Sequence, residues 1–296
     1  MKIERLSNQH KQAACQFLMN YPYSSMFLLS NIDRAGLEYT GESFSGEYWG
    51  AFDEAGEIVG ILAQFWSGNL MTQAPDPDAL EVLTSHFLQM IGRPVAGLVG
   101  NSEQASYVLN KLDLPATAFT TNRSEGLYQL ALSDLKLPDN ALRDQFKLIG
   151  SSKADSSLLF DWLKAYELEA FSSEPSEKHD AHILNRVERM QKHDSSWVLL
   201  DRDQPVSLSG FNATLPEIVQ IGPVWTPPEH RNKGYARVIV ALTLQAAQQR
   251  GVQKSVLFTD NPAAAKAYEA IGFKQNGNFQ LALLKEPIEL TATAPV

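Results

Sequence analysis

The stretch with most chemical content reads Ile218-Val219-Gln220-Ile221-Gly222-Pro223-Val224-Trp225-Thr226-Pro227-Pro228-Glu229-His230-Arg231-Asn232-Lys233-Gly234-Tyr235-Ala236-Arg237. An apolar strand pattern ends in a proline pair, and a short polar loop then opens directly into a helical pattern. A helix that starts this way exposes unpaired backbone N–H groups and the positive end of its dipole, which together make an anion site. Gly234 removes the Cβ that would keep a phosphate from the main chain, and Ala236 keeps the next turn small. The amides from Asn232 through Tyr235 to Arg237 can then converge on one diphosphate, as in an anion nest. Arg231, Lys233 and Arg237 add positive charge beside it. Taken alone, Arg-x-x-Gly-x-Ala fits any glycine-bearing turn before a helix.

About 25 residues further on, a second segment runs Phe258-Thr259-Asp260-Asn261-Pro262-Ala263-Ala264-Ala265-Lys266-Ala267-Tyr268-Glu269-Ala270-Ile271-Gly272-Phe273. A strand ends near Asp260, Pro262 suits the first turn of a helix, and Gly272 ends it. Asn261 and Tyr268 stand seven residues apart, about two helical turns, and share one face. Strand, Arg-x-x-Gly-x-Ala, helix, strand, Asn-x6-Tyr helix, Gly-Phe, strand: this order resembles the GNAT family, the Gcn5-related N-acetyltransferases. The resemblance is close over 197–285 and looser over 150–196.

The resemblance implies acetyl-CoA as cosubstrate and an acyltransferase acting on an amine. It implies that the main chain of Val224 and Thr226 pairs with the pantetheine arm, in a wedge between their strand and the one holding Phe258. It implies that the loop Arg231, Asn232, Lys233, Gly234, Tyr235, Ala236, Arg237 holds the diphosphate. Asn261 would contact the pantetheine or order the strand end, and Tyr268 would protonate the departing thiolate. The amine would attack the thioester directly, with a backbone N–H near Val224 stabilising the oxyanion. The residue-level alternative for Tyr268 is a core aromatic with a hydrated hydroxyl.

One departure concerns the base. Histone-type members carry a glutamate on the strand where this chain has Gln220, which cannot accept a proton. Glu217 lies three residues earlier, on the other face of a regular strand unless a bulge reverses it. Glu217 is therefore one base candidate beside a water relay or an acceptor that is already neutral. His179 and His182, three residues apart with Asp180 between them, lack the spacing and extra ligands of a metal site and read as a solvated helix face. Trp162, Tyr166 and Phe171 fit either an acceptor pocket or core.

These residues need elements to hold them. Before the loop come a helical pattern over 155–171 (Leu159, Trp162, Leu163, Tyr166, Ala170), a Ser- and Glu-rich loop over 172–178 and a helix over 180–192. A hairpin over 197–213 and a strand over 217–226 follow. After the loop come a helix over 234–250, a strand over 254–259, a helix over 262–271 and strands over 273–285, with a tail from 287 that has no packing pattern. The first half has the same succession: a strand at 2–6, helices at 8–19 and 24–35, a hairpin over 47–66, a helix at 77–91, a strand at 94–99, a helix at 102–111 and a strand at 126–132. Asp53 and Gly60 match Asp203 and Gly210, and Gln129-Leu130-Ala131-Leu132 matches Gln280-Leu281-Ala282-Leu283, at a common spacing of roughly 150 residues. The fold class expected is α/β (α+β): two tandem GNAT-like domains, 1–135 and 136–296, each a mixed, mostly antiparallel sheet flanked by helices. The first half lacks the loop, since Ala74-Pro75-Asp76-Pro77-Asp78 offers no glycine and two carboxylates that repel phosphate. Asn101 begins a helix as Asn261 does, with Val108 in place of the tyrosine. The first half is expected to be a degenerate copy that binds no cofactor.

Composition closes off other classes. A net charge of -9 over 296 residues argues against a nucleic-acid or anionic-membrane partner. The single cysteine, Cys15, permits no internal disulfide, and no apolar run is long enough for a bilayer. Without a signal-peptide core at the start, the cytoplasm is the expected compartment. The loop lacks the Gly-Lys-Ser/Thr ending of a P-loop. The expectation is an N-acetyltransferase for a primary amine of a small or amino-acid-like acceptor. The alternatives are a protein acetyltransferase for lysine or N-terminal amines and a non-catalytic acyl-CoA-binding regulatory module.

Overall fold

Runs that alternate apolar and polar residues form the strands of this protein, and runs of helical period form its helices. The computed structural model describes residues 1–90, 92–141, 144–171, 176–193 and 195–290, Lys178 by its main chain alone. In chain order the first series is β1 (Lys2–Arg5), α1 (Lys11–Met19), α2 (Met26–Ala35), β2 (Gly46–Phe52), β3 (Ile58–Phe65), β4 (Asn69–Gln73), α3 (Pro77–Met90), β5 (Val95–Asn101), α4 (Ser102–Leu112) and β6 (Phe119–Ala131). The same order of strands and helices then runs again: β7 (Phe146–Gly150), α5 (Ser156–Phe171), α6 (Glu177–Lys192), β8 (Ser196–Asp201), β9 (Gln204–Thr214), β10 (Ile218–Trp225), α7 (Tyr235–Gln249), β11 (Lys254–Thr259), α8 (Pro262–Glu269) and β12 (Lys274–Ile288).

Two strands of this plan, β4 and β7, escape the sequence patterns. Each has five residues, Asn-Leu-Met-Thr-Gln and Phe-Lys-Leu-Ile-Gly. β6 begins seven residues before the strand expected at 126, because Thr, Asn, Arg and Ser at its start mask the pattern. Residues 172–175 of the Ser- and Glu-rich loop and 291–296 of the tail lie outside the described residues.

The chain packs as two compact units, and their membership is not linear. One comprises Met1–Gly126 with Gly277–Val296, the other Leu127–Asn276. A cut at 135/136 follows the sequence repeat, whereas packing assigns the last strand to the first unit. The cause is backbone pairing: β12 runs antiparallel to β5, with Phe279 opposite Asn101 and Leu283 opposite Gly97. In the first unit the sheet order is β1-β2-β3-β4-β5, then β12 from Gly277, then β6 to Gly126, and Gln280 Nε2 donates to Asn122 Oδ1 at 2.7 Å.

In the second unit β7, β8, β9 and β10 pair antiparallel in sequence, and β10 joins β11 in parallel. Successive residues of β8 serve opposite faces. Leu199 joins the core under α7 with Val238, Ile239 and Leu244. Its neighbour Val198 joins Leu159 and Leu163 of α5 and Ile183 and Val187 of α6. Leu159 and Leu163 are fully buried, and each such side chain contributes roughly 2 kcal/mol. This packing fixes α5 and α6 over one face and α7 over the other. Among the described residues no helix is long and apolar enough to cross a membrane.

Candidate functional site: a splayed strand pair opening on a bare helix start

β10 and β11 part company halfway. Ile218, Val219 and Gln220 pair with Lys254, Ser255 and Val256, and the ladder stops there. Ile221 to Trp225 continue along β9, with register shifts on either side of Ile221. Bulges of this kind bend a strand and strengthen its twist, which carries Val224 and Trp225 away from β11. One edge of β10 is therefore free of strand partners over the second half of its length, where a ligand's amide groups can pair with it.

The open end leads to the loop. Thr226 is anchored through Oγ1, 2.9 Å from Ser207 Oγ, and Ser207 Oγ also donates to the Trp225 carbonyl at 2.9 Å. Asn232 and Gly234 both adopt left-handed backbone, with φ of 62° and 81°. Asn tolerates this conformation and Gly favours it. A Cβ at Gly234 would find only Arg237 Nη2, at 3.8 Å, within contact range. Conformation and an open face, not crowding from the protein, call for glycine there. No side chain caps the first turn of α7, so its leading amides point into that open face.

The charged side chains divide unequally. Arg237 lies against the face, and its Nε is buried without a hydrogen-bond partner among the described residues. Arg231 turns elsewhere. Its Nε donates to the Thr226 carbonyl at 3.0 Å, Nη2 to Glu169 Oε2 at 2.8 Å, and the guanidinium lies 4.9 Å from the Trp225 ring centre. A carboxylate and an indole face satisfy it in place of a bound anion. Lys233 Nζ reaches the Glu229 carbonyl at 3.1 Å. Tyr235 OH donates to Asp201 Oδ2 at 2.6 Å, so its ring ties the helix start to β8 and its main chain alone faces the loop. That hydrogen bond, then burial, raises the phenol's pKa. Ala236 is half-buried in the first turn.

Tyr268 is buried, 7% exposed, with its ring edge-on to Phe273. Burial drives its pKa far above the ordinary tyrosine value, and the Tyr166 phenol nearby adds to this. Tyr166 in turn meets the Trp225 ring edge-on at 6.4 Å. The C-terminal part of α5 thus brings Tyr268 and the free end of β10 to one place. Tyr166 belongs to this site, whereas Trp162 is core. Asn261 caps α8, its Oδ1 accepting from the amides of Ala263 and Ala264 at 2.9 and 3.2 Å.

Glu217 does not join this group. It is exposed at the paired end of β10, and its carbonyl accepts from the amides of Gln253 and Lys254. Seven residues of strand, roughly 23 Å, separate it from Val224. Gln220 marks the fork and is buried.

Sequence comparison bears on one stretch of the chain. The model of the acetyltransferase (GNAT) family matches residues 157–273. Residues 157–273 form a GNAT domain. A rat protein, N-acetyltransferase family 8 member 2, is 29% identical over 112 residues, 34% of this chain. The chain spans about half, 48%, of that curated relative's length. The fold extends further than the family match. An X-ray structure of a Drosophila protein is similar with TM-score 0.65 at 12% identity, covering 95% of this chain and 98% of its own. A tandem GNAT protein from the clavulanic acid biosynthesis pathway is similar with TM-score 0.56 at 10% identity, covering 97% and 99%. Two GNAT-like folds in tandem account for the repeated element order.

The first unit repeats the GNAT scaffold without the opening. β4 stays paired with β5 from Asn69 to Thr72, four of its five residues. At the start of α3, Asp76 Oδ1 accepts from the amides of Asp78 and Ala79, so a carboxylate occupies the place of an anion. Asn101 caps α4 through the amides of Glu103 and Gln104, as Asn261 caps α8.

One cluster of the GNAT domain escaped the sequence reading. His179 is not on a solvated face: its side chain is 10% exposed, with Nε2 3.1 Å from Glu167 Oε2. Arg186 Nη1 donates to Glu167 Oε1 at 2.6 Å, and His182 Nε2 stands 3.8 Å from that oxygen. The signal available was Glu167 itself, four residues after Leu163 and eight after Leu159, on the buried stripe of α5. A carboxylate in a core register requires partners.

Proposed function

We propose that the second unit is an N-acetyltransferase that binds acetyl-CoA in the fork between β10 and β11 and transfers its acetyl group to a primary amine of a small or amino-acid-like acceptor, in the cytoplasm. The observation that carries this reading is the ladder that stops at Gln220 and leads to an uncapped helix start with an unsatisfied Arg237 donor. The diphosphate lies on the amides of Asn232 to Arg237, with Lys233 on its solvent side. Pantetheine amides pair with the main chain of Val224 and Thr226, and Asn261 sets the wall opposite. Arg231 shapes the fork by clamping α5 to the loop.

The acetyl carbonyl points to a β10 amide near Val224. That N–H stabilises the oxyanion formed when the amine attacks, an interaction made most strongly in the transition state. Tyr268 supplies the hydroxyl for the leaving thiolate. A thiol has a pKa near 8.5, well below that of so buried a phenol, so the phenol stays protonated throughout. It acts by donating a hydrogen bond and relaying the proton that leaves the new amide nitrogen.

Calorimetric titration with acetyl-CoA and CoA tests the cofactor site, with Gly234→Glu as control. Micromolar binding abolished by the variant supports the reading, and thiol release with a panel of amines then finds the acceptor. No binding at millimolar acetyl-CoA would sink it. Binding without turnover of any small amine or peptide would favour a regulatory module.

A further inference from the structure

The proposed transfer needs a group to take the ammonium proton, and Glu217 is too distant. The Glu167 cluster sits better. Arg186, whose Nη1 holds Glu167, extends Nη2 to Asn212 Oδ1 of β9 at 3.4 Å. The Asn212 amide lies against Gly222 so closely that a Cβ there would collide with it, and Gly222 belongs to the stretch of β10 beyond its ladder with β11. The same guanidinium stands 5.9 Å from the ring centre of Tyr166, the residue that meets Trp225. The arginine end of the cluster therefore borders the second half of β10.

Its hydrogen bonding is that of a carboxylate–imidazole pair. Glu167, with 8% side-chain exposure and an arginine on Oε1, accepts from His179 Nε2 through Oε2. This network assigns the proton to Nε2 and leaves Nδ1 with a bare lone pair. His179 Nδ1 is buried and has no hydrogen-bond partner among the described residues. A buried acceptor left without a partner calls for an explanation, and a catalytic role is one. The charged groups facing the pair are Arg186 and His182 from α6, with the Lys164–Asp180 ion pair alongside at 2.7 Å. From β9 comes neutral Asn212.

We propose that His179 is the general base for the acceptor amine and that Glu167 is the residue that positions it. This rests on the acetyltransferase reading above. The acceptor ammonium loses one N–H proton to Nδ1, and Glu167 stabilises the imidazolium, as in other carboxylate–histidine pairs. The freed lone pair forms the N–C bond to the thioester carbonyl. The C–S bond then breaks with its electrons on sulfur. The thiolate receives the second proton of the attacking nitrogen through Tyr268, and the imidazolium returns the first to water. Ammonium and acetyl-CoA yield amide, CoA thiol and one proton. His182, which is half-exposed and whose proton affinity is lowered chiefly by burial, links the carboxylate to solvent.

The test uses the full chain and two acceptor probes. Ethanolamine is cationic at pH 7.5 and needs a base, while hydroxylamine is mostly neutral and does not. His179→Gln should lower kcat/KM for ethanolamine by about 100-fold or more, lower it less than tenfold for hydroxylamine, and leave acetyl-CoA affinity unchanged by calorimetry. Equal losses with both probes would overturn the assignment. Nitrogen-15 NMR of the histidine rings gives a second readout independent of any acceptor. His179 should carry its proton on Nε2 at pH 7.5 with Nδ1 bare, and Glu167→Gln should change that tautomer. An Nδ1–H tautomer or an imidazolium at that pH would refute the pair. Absence of acetyl-CoA binding by the unaltered protein would instead refute the acetyltransferase reading.

Discussion

Replacing Arg237 by methionine should improve the ligand-free protein and damage the complex. The methionine keeps the apolar stem and removes the guanidinium, whose Nε is buried without a partner. An unsatisfied buried donor costs about 1–3 kcal/mol, and a cation at a helix N-terminus opposes the dipole by about 0.3–1 kcal/mol. Removing both returns on the order of 1 kcal/mol, which raises Tm by about 2–4 °C for a chain of this size. Once a diphosphate is present the balance reverses. A charge-assisted hydrogen bond is worth about 1.5–3 kcal/mol, so Kd for acetyl-CoA should rise about 10- to 150-fold. Thermal melts with and without acetyl-CoA, followed by calorimetry, measure both numbers. A lower ligand-free Tm with unchanged Kd would refute the reasoning, because Arg237 would then be a structural residue facing the protein.

Two further substitutions separate roles that the site superposes. Asn261→Ala removes the side chain that caps α8 and should cost about 1 kcal/mol of stability; a Kd change beyond tenfold would reveal direct contact with the ligand. Tyr268→Phe should reduce kcat by about 100-fold at unchanged acetyl-CoA affinity, and single-turnover thiol release measures it. Tyr268 also shapes alkaline stability. Its folded pKa is raised by burial, as is that of Tyr48, so their stabilisation is complete below the unfolded value near pH 10 and falls as pH rises above it. The slope is about 1.4 kcal/mol per pH unit for each tyrosine, and urea midpoints from pH 9 to 11 should fall less steeply in the Phe variant.

The elements around the loop were legible because each carried a long pattern or a punctuating residue. Pro227 and Pro228 end a strand, Gly234 starts a helix, and Pro262 and Gly272 bracket another. The fork of β10 and β11 was legible only through the family resemblance, since nothing in Val224 or Phe258 says that their backbones diverge. What composition could not convey was the direction of side chains. Arg231 and Arg237 are chemically alike and six residues apart, yet one clasps Glu169 and the other faces the open loop. Glu167, His179 and Arg186 come from two helices, and their union depends on how α5 packs on α6. Pairing between distant strands was equally hidden: Gln129 and Gln280 match in sequence, but no local pattern tells that β12 turns back to β5.

That return has a consequence for how the protein is made. β5 finds its neighbour β12 only after the whole of the second unit has left the ribosome, since the residues paired, Gly97 with Leu283 and Asn101 with Phe279, flank it in sequence. Until then the first unit presents an unprotected strand edge, the kind of surface that recruits other nascent chains. The second unit can fold as soon as residue 276 has emerged, whereas the first must wait for the strand beyond it. Ribosome stalling or premature termination before residue 277 would leave an aggregation-prone remnant rather than a shorter working enzyme.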